Sequence, residues 1–140
     1  MRTITTVRAE TRTRTIAAPP DAVHAVIADG ARLPDWAPNF AGAAEHEDGD
    51  RWLIANGDLR FPVHLRADAG AGTVDLVRPG DPRRGAFLRV TPNGDGAELA
   101  FTLLLGDPAF EDPAVVDAQM ATVEAELATI ARLAGEGSAD

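Results

Sequence analysis

Histidine is the side chain whose ordinary pKa lies nearest neutrality, and the chain has three, His24, His46 and His64. None has metal-ligand spacing. A helical zinc motif needs a second histidine four residues on, which His46-Glu47 lacks, and His46 stands before a hairpin turn. The acidic run Glu45-His46-Glu47-Asp48-Gly49-Asp50 does not follow the ligand order of a calcium loop and reads as a solvated turn. Gly70-Ala71-Gly72 begins a dinucleotide fingerprint, but Asp75 stands at the third glycine position and a strand follows where a helix is required. No metal and no cofactor is expected. His64 shares a polar strand face with Arg60 and Arg66 and reads as an outward cross-strand neighbour.

Scarcity narrows the chemistry further. Cys, Lys and Tyr are absent, and the one serine is Ser138. Disulfides, thiolate sites, Schiff bases, phosphate-loop lysines and a serine-hydrolase elbow are thereby excluded. Acid-base work falls to Asp, Glu, His, Arg or Thr, and no catalytic residue can be named. Arg78 is the most suggestive side chain. If Val74 and Leu76 point inward, Arg78 faces the mouth of a pocket, where a guanidinium can pair with a ligand carboxylate or enolate; the alternative is a strand-end arginine reaching water before Pro79-Gly80. Arg89 is a weaker candidate, because Ala86, Leu88 and Val90 compete with Phe87 for the inward face.

The net charge of −9 argues against a nucleic-acid partner, with Arg8, Arg12 and Arg14 as the only basic stripe. No run of eighteen apolar residues and no basic-then-apolar leader is present, so a cytoplasmic protein without a membrane span is expected. At 140 residues and 45% hydrophobic, one domain over residues 1–134 with a flexible tail over 135–140 is expected, as a monomer or homodimer.

Periodicity supplies the elements that must position these groups. Residues 5–15 set Val7, Ala9, Thr11, Thr13 and Thr15 on one face and Arg8, Glu10, Arg12 and Arg14 on the other, a half-buried strand with a charged outer side. Pro19-Pro20-Asp21 ends it and opens a short helix carrying Val23, Val26 and Ile27, and Arg32 to Trp36 adds another turn. Six further strands, near 40–47, 51–56, 59–67, 73–78, 85–91 and 97–105, are separated by Asp48-Gly49, Asn56-Gly57, Pro79-Gly80 and Asn93-Gly94, which are hairpin signals. Pro62 cannot donate to a ladder and calls for an edge position or a bulge. Asp112-Pro113 then caps a long amphipathic helix with Val116, Met120, Val123, Leu127, Ile130 and Ala134 on one stripe.

Four pieces in this order, Ile16-Ala17-Ala18-Pro19-Pro20-Asp21-Ala22-Val23, Ala28-Asp29 with Leu33-Pro34-Asp35-Trp36, Gly72-Thr73-Val74-Asp75, and the terminal helix, resemble the START-like or SRPBCC helix-grip superfamily, which includes polyketide cyclase/dehydrase-like proteins. The resemblance implies an α+β helix-grip fold: a seven-stranded antiparallel sheet wrapped around the C-terminal helix, two short helices after the first strand, and a pocket for a hydrophobic or aromatic small molecule. Trp36, Phe40, Trp52, Phe61, Phe87, Phe101, Met120 and Val123 are the large apolar groups able to line such a space, with Arg78 at its mouth; equally, they can simply fill the core. Two other roles stay open: an enzyme resembling the aromatase/cyclases, for which the missing tyrosine and internal serine are a departure, and a protein-interaction module, whose mark is an exposed apolar patch.

Overall fold

Between residues 43 and 105 each strand is joined to the next by a glycine-containing turn, and all the strands form one antiparallel sheet. In the computed structural model, which describes residues 3–137, β1 (Ala9–Ile16) is followed by α1 (Pro20–Ala28), a 3₁₀ turn (Gly30–Arg32) and α2 (Leu33–Trp36). Then come β2 (Ala43–Asp48), β3 (Arg51–Asn56), β4 (Leu59–Asp68), β5 (Thr73–Arg78), β6 (Asp81–Asn93) and β7 (Gly96–Leu105). A second 3₁₀ turn (Pro108–Glu111) leads into α3 (Pro113–Leu133). The strand order is β1-β7-β6-β5-β4-β3-β2, so β2 to β7 form a meander and β1 closes its far side. This is the helix-grip α+β architecture.

Local chemistry explains the helix ends. Pro113 has no N–H to leave unsatisfied at the first helical position, and the Asp112 side chain accepts from the Ala114 N–H at 2.9 Å. Pro20 opens α1 in the same way, and Asp29 accepts from Ala31 N at 3.0 Å to start the 3₁₀ turn. Gly30 is required there by packing, since a Cβ would lie 2.4 Å from the Trp52 ring. Gly72, at φ +69°, is required twice over: its Cβ would also meet Val90 O at 2.5 Å. Pro62 sits in a locally exposed edge. It pairs with Leu53 of β3, while the β4–β5 ladder begins only at His64↔Val77, so no neighbour needs the missing N–H.

Cross-strand partners share a face, and one face of the sheet carries the core. Ile54, Val63, Leu65, Val74, Leu76, Leu88, Leu99 and Phe101 line it and are buried. From the other side α3 supplies Val116, Met120, Val123, Leu127 and Ile130, and α1 supplies Val23, Val26 and Ile27. Each fully buried aliphatic side chain of this kind contributes about 1.5–3 kcal/mol.

The face of β1 is the reverse of the sequence expectation. Arg12 pairs with Phe101, Arg14 with Leu99 and Ile16 with Ala97, so the charged residues stand on the helix side of the sheet and are half-buried. The threonines are exposed on the outer face, where Thr11 and Thr102 hydroxyls meet at 2.8 Å. The arginine stems lie against α3 while their heads find acids: Arg12 lies 3.7 Å from Glu124, and Arg14 donates to Glu136 at 2.9 Å. Glu136 also accepts from Ala17 N at 3.0 Å, tying the chain just past α3 to the end of β1. The expected tail thus begins with an anchored turn; Ser138, Ala139 and Asp140 lie outside the described residues.

Candidate functional site

A row of neighbours across three strands explains why the core is not continuous. Leu76 of β5 stands opposite Ala86 of β6, and Ala86 opposite Leu103 of β7. One step further along, Val74, Leu88 and Phe101 fill the corresponding layer. The methyl of Ala86 cannot fill on its side the space that Leu88 fills one step along. A cavity of about 300 Å³ remains, lined by Leu76, Ala86, Leu103 and Phe101 of the sheet, by Trp36 and Phe40 from α2 and the segment after it, and by Gln119 and Glu126 of α3. Phe110 and Asp107 border it from the stretch between β7 and α3. Trp36 and Phe101 meet edge to face at 6.3 Å and form one wall.

Few polar groups reach this apolar space. Glu126 is only 8% exposed and makes no hydrogen bond or ion pair with the described residues. Burial raises its pKa from 4.5 to about 7, because an ionised carboxylate loses its hydration there. The Trp36 Nε1–H is buried without an acceptor among the described residues. On the sheet side, the Arg78 guanidinium lies 3.8 Å from the centroid of the Phe61 ring, a cation–π contact, and has no carboxylate partner among the described residues. Burial, and then the neighbouring charge of Arg84, lower its pKa from the ordinary value. Arg84 itself is neutralised by Asp107 at 3.1 Å and Asp81 at 3.4 Å.

The expected site residues divide by their distance from this space. Trp36, Phe40, Arg78 and Phe101 line the cavity. Phe61 stands behind the first layer, edge-on to Phe40 at 5.5 Å and beneath Arg78. Met120 and Val123 are 2% and 0% exposed and belong to the filled core, so α3 faces the cavity with Gln119 and Glu126 instead. Two residues stand away from it. Trp52 covers Gly30 and packs on His46 at 4.9 Å, at the β2–β3 end of the sheet. Phe87 pairs with Asp75 and Thr102 and therefore faces outward, because Ala86, Leu88 and Val90 alternate with it and take the inner face.

Glu126 is the residue that sequence reasoning missed. Its signal was present: Val123, Glu126 and Ile130 recur at spacings of three and four, which places an acid within an otherwise apolar row. His46 and His64 stand where their spacing suggested, in a turn and on the outer face, whereas His24 is buried. His46 donates to Gly49 O at 2.8 Å in its turn, and His24 donates to Thr73 O at 3.1 Å. His64 Nδ1 meets Asp50 at 2.6 Å on the outer side, a contact that helps hold the Asp50 carboxyl below its ordinary pKa. No cluster of metal-ligating side chains occurs among the described residues. None of their helices is long and apolar enough to cross a membrane.

Comparison with known proteins bears on this geometry. The sequence profile described as polyketide cyclase/dehydrase and lipid transport matches residues 8–135. Among solved structures, one from Thermus thermophilus superposes with a TM-score of 0.71 at 19% identity, covering 94% of this chain and 100% of that one. The Zhui aromatase/cyclase from a Streptomyces species gives 0.68 at 18% identity over 91% and 93%. A START superfamily protein from Mycobacterium smegmatis gives 0.65 at 15% identity over 88% and 94%. At these identities the likeness establishes the fold. No curated protein matches.

Proposed function

The chain belongs to the polyketide cyclase/dehydrase and lipid-transport family, and from that premise we propose that its cavity binds a hydrophobic small molecule carrying an aromatic ring or a comparably flat apolar body. The observation that carries this reading is the space itself. About 300 Å³ is left open between sheet and helix, and the walls are largely aromatic and aliphatic. That size sits at the lower end of small-molecule sites, which are mostly apolar with a few oriented polar groups. Trp36, Phe40 and Phe101 supply apolar contact, and Phe61 supports Phe40 from behind. Arg78, held on the Phe61 ring, orients an acidic or enolic group of the ligand at the sheet side. Met120 and Val123 act from the layer beneath, by fixing the helix that closes the space.

The same reading takes the protein as cytoplasmic, a monomer or homodimer, and without a nucleic-acid partner. In support of the last point, each arginine of the β1 stripe is already paired with an acid: Arg8 and Arg12 with Glu10, Arg14 with Glu136. Native mass spectrometry of the freshly purified protein tests ligand binding. The expected result is a species heavier than the apoprotein by a few hundred daltons, released by organic solvent. A bare apoprotein that also leaves Trp36 fluorescence unchanged on titration with anilinonaphthalenesulfonate contradicts it.

A further inference from the structure

A carboxylate is an expensive group to bury, and Glu126 is the one acidic residue that is buried among the described residues. It stands on the inner row of α3 between Val123 and Ile130, both 0% exposed, and its carboxyl borders the cavity with no partner among the described residues. None of the charged groups on the elements packed around it pairs with it among the described residues. On β1, Arg12 is paired with Glu10 and Glu124, and Arg14 with Glu136. On β6, Arg84 is held by Asp81 and Asp107, and on β5 Arg78 rests on Phe61. On α1, His24 donates to Thr73 O, and on α2 Asp35 lies beside Arg32. A buried carboxyl with no cation beside it holds its proton to higher pH, here up to about 7, and a protonated carboxyl is a hydrogen-bond donor.

We infer that Glu126 is the specificity-determining group of the cavity: as a neutral carboxylic acid it donates a hydrogen bond to an acceptor oxygen, such as a ketone, on the apolar ligand. The inference rests on the binding reading above and deepens it. It assigns a polarity to the ligand, with an acceptor oxygen toward α3 and any acidic group toward Arg78. It also makes binding depend on pH, since ionised Glu126 offers an acceptor only and repels a carbonyl oxygen. The affinity for a ketone is then constant in mild acid and falls as pH rises past about 7, where Glu126 loses its proton.

Methyl naphthyl ketone and isopropenylnaphthalene form a matched pair of probes, equal in shape and differing in a carbonyl oxygen against a methylene. Their affinities are measured for the wild type, Glu126→Gln and Glu126→Leu at pH 6 and pH 8. In the wild type at pH 6 the ratio of ketone to alkene affinity is expected to exceed that of Glu126→Leu by about tenfold, the worth of one good hydrogen bond in an apolar site. Glu126→Gln, whose amide still donates, retains the ratio and loses the pH dependence. A ratio unchanged by Glu126→Leu, or a ketone affinity equally pH-dependent in Glu126→Gln, overturns the assignment while leaving the binding site intact. Failure of both probes to bind any variant removes the binding reading and the assignment together.

Discussion

Two sets of α3 side chains face the same sheet with different results. Leu127, Ile130 and Ala131 are 2%, 0% and 1% exposed and belong to the closed core together with Ile16 and Leu99. Beyond them Glu136 fastens the chain to Arg14 and Ala17. Gln119 and Glu126, interleaved with such core residues along the helix, look across a gap at Ala86 and Leu103. One helix carries both sets, so its rigidity comes from the filled contacts and its usefulness from the unfilled ones. A protein that packed the second set as densely would gain stability and lose its room for a ligand.

The largest expected difference between the filled and the unfilled contacts is in truncation. Leu127→Ala removes a side chain locked in the filled layer and is expected to cost about 2–5 kcal/mol. Leu103→Ala, which only enlarges an existing space, is expected to cost roughly half as much or less by the same reasoning. Urea denaturation of the two variants checks the contrast, and equal losses would mean that the gap is closed in solution.

Glu126→Gln sharpens the comparison from the electrostatic side. The folded-state pKa of about 7 lies above the ordinary 4.5, so the native state holds the proton more tightly than the unfolded chain does. Stability therefore declines as pH rises from about 4.5 to about 7 and levels off above, by a total on the order of 3 kcal/mol. Glutamine cannot ionise. The variant is expected to be more stable than the wild type at pH 8 by up to about that amount, and indistinguishable from it below pH 4.5. Thermal melts across this range measure the effect.

Glu136→Ala probes the fastened end and has the smallest expected effect. The hydrogen bond from Ala17 and the pair with Arg14 hold the Glu136 carboxyl below its ordinary pKa. The stability it contributes is thus present above the ordinary value of 4.5 and is lost as pH falls through the lower folded-state value. At neutral pH the substitution is expected to cost about 1 kcal/mol, since the contact is partly screened by water. Its cost should vanish in strong acid, the opposite pH trend to Glu126→Gln.

Much of this fold is legible in the residues. Period-two alternation, the Asn-Gly and Asp-Gly turns and the Asp112-Pro113 start place all seven strands and α3 within a few residues of their observed bounds. What alternation does not report is which face meets the core when neither face is apolar. In β1 the choice lay between threonines and arginines, and the acids of α3 and Glu136, far away in sequence, decided for the arginines. Phe87 fails for a related reason: one large residue does not outweigh three in-phase neighbours. Trp52 is on the inner face, but at the end covered by Gly30, and coverage is a tertiary property. The cavity follows from the small residue Ala86 as much as from the aromatic ones, so a search for large side chains finds its walls and misses the reason it is empty.

The central claim is that the space under Ala86 is real and is where a ligand sits, and a paired filling experiment tests it most directly. Ala86→Phe places a ring in the cavity, while Ala131→Phe forces the same ring into the filled layer of α3. Both are followed by anilinonaphthalenesulfonate titration and urea denaturation. Overpacking a dense core costs about 1–3 kcal/mol or more, whereas a ring that enters a void finds contacts ready for it. The expected result is that Ala86→Phe abolishes dye binding at little cost in stability, and that Ala131→Phe is strongly destabilised yet binds the dye wherever it remains folded. Undiminished dye binding in Ala86→Phe, or a destabilisation as large as that of Ala131→Phe, would contradict the account.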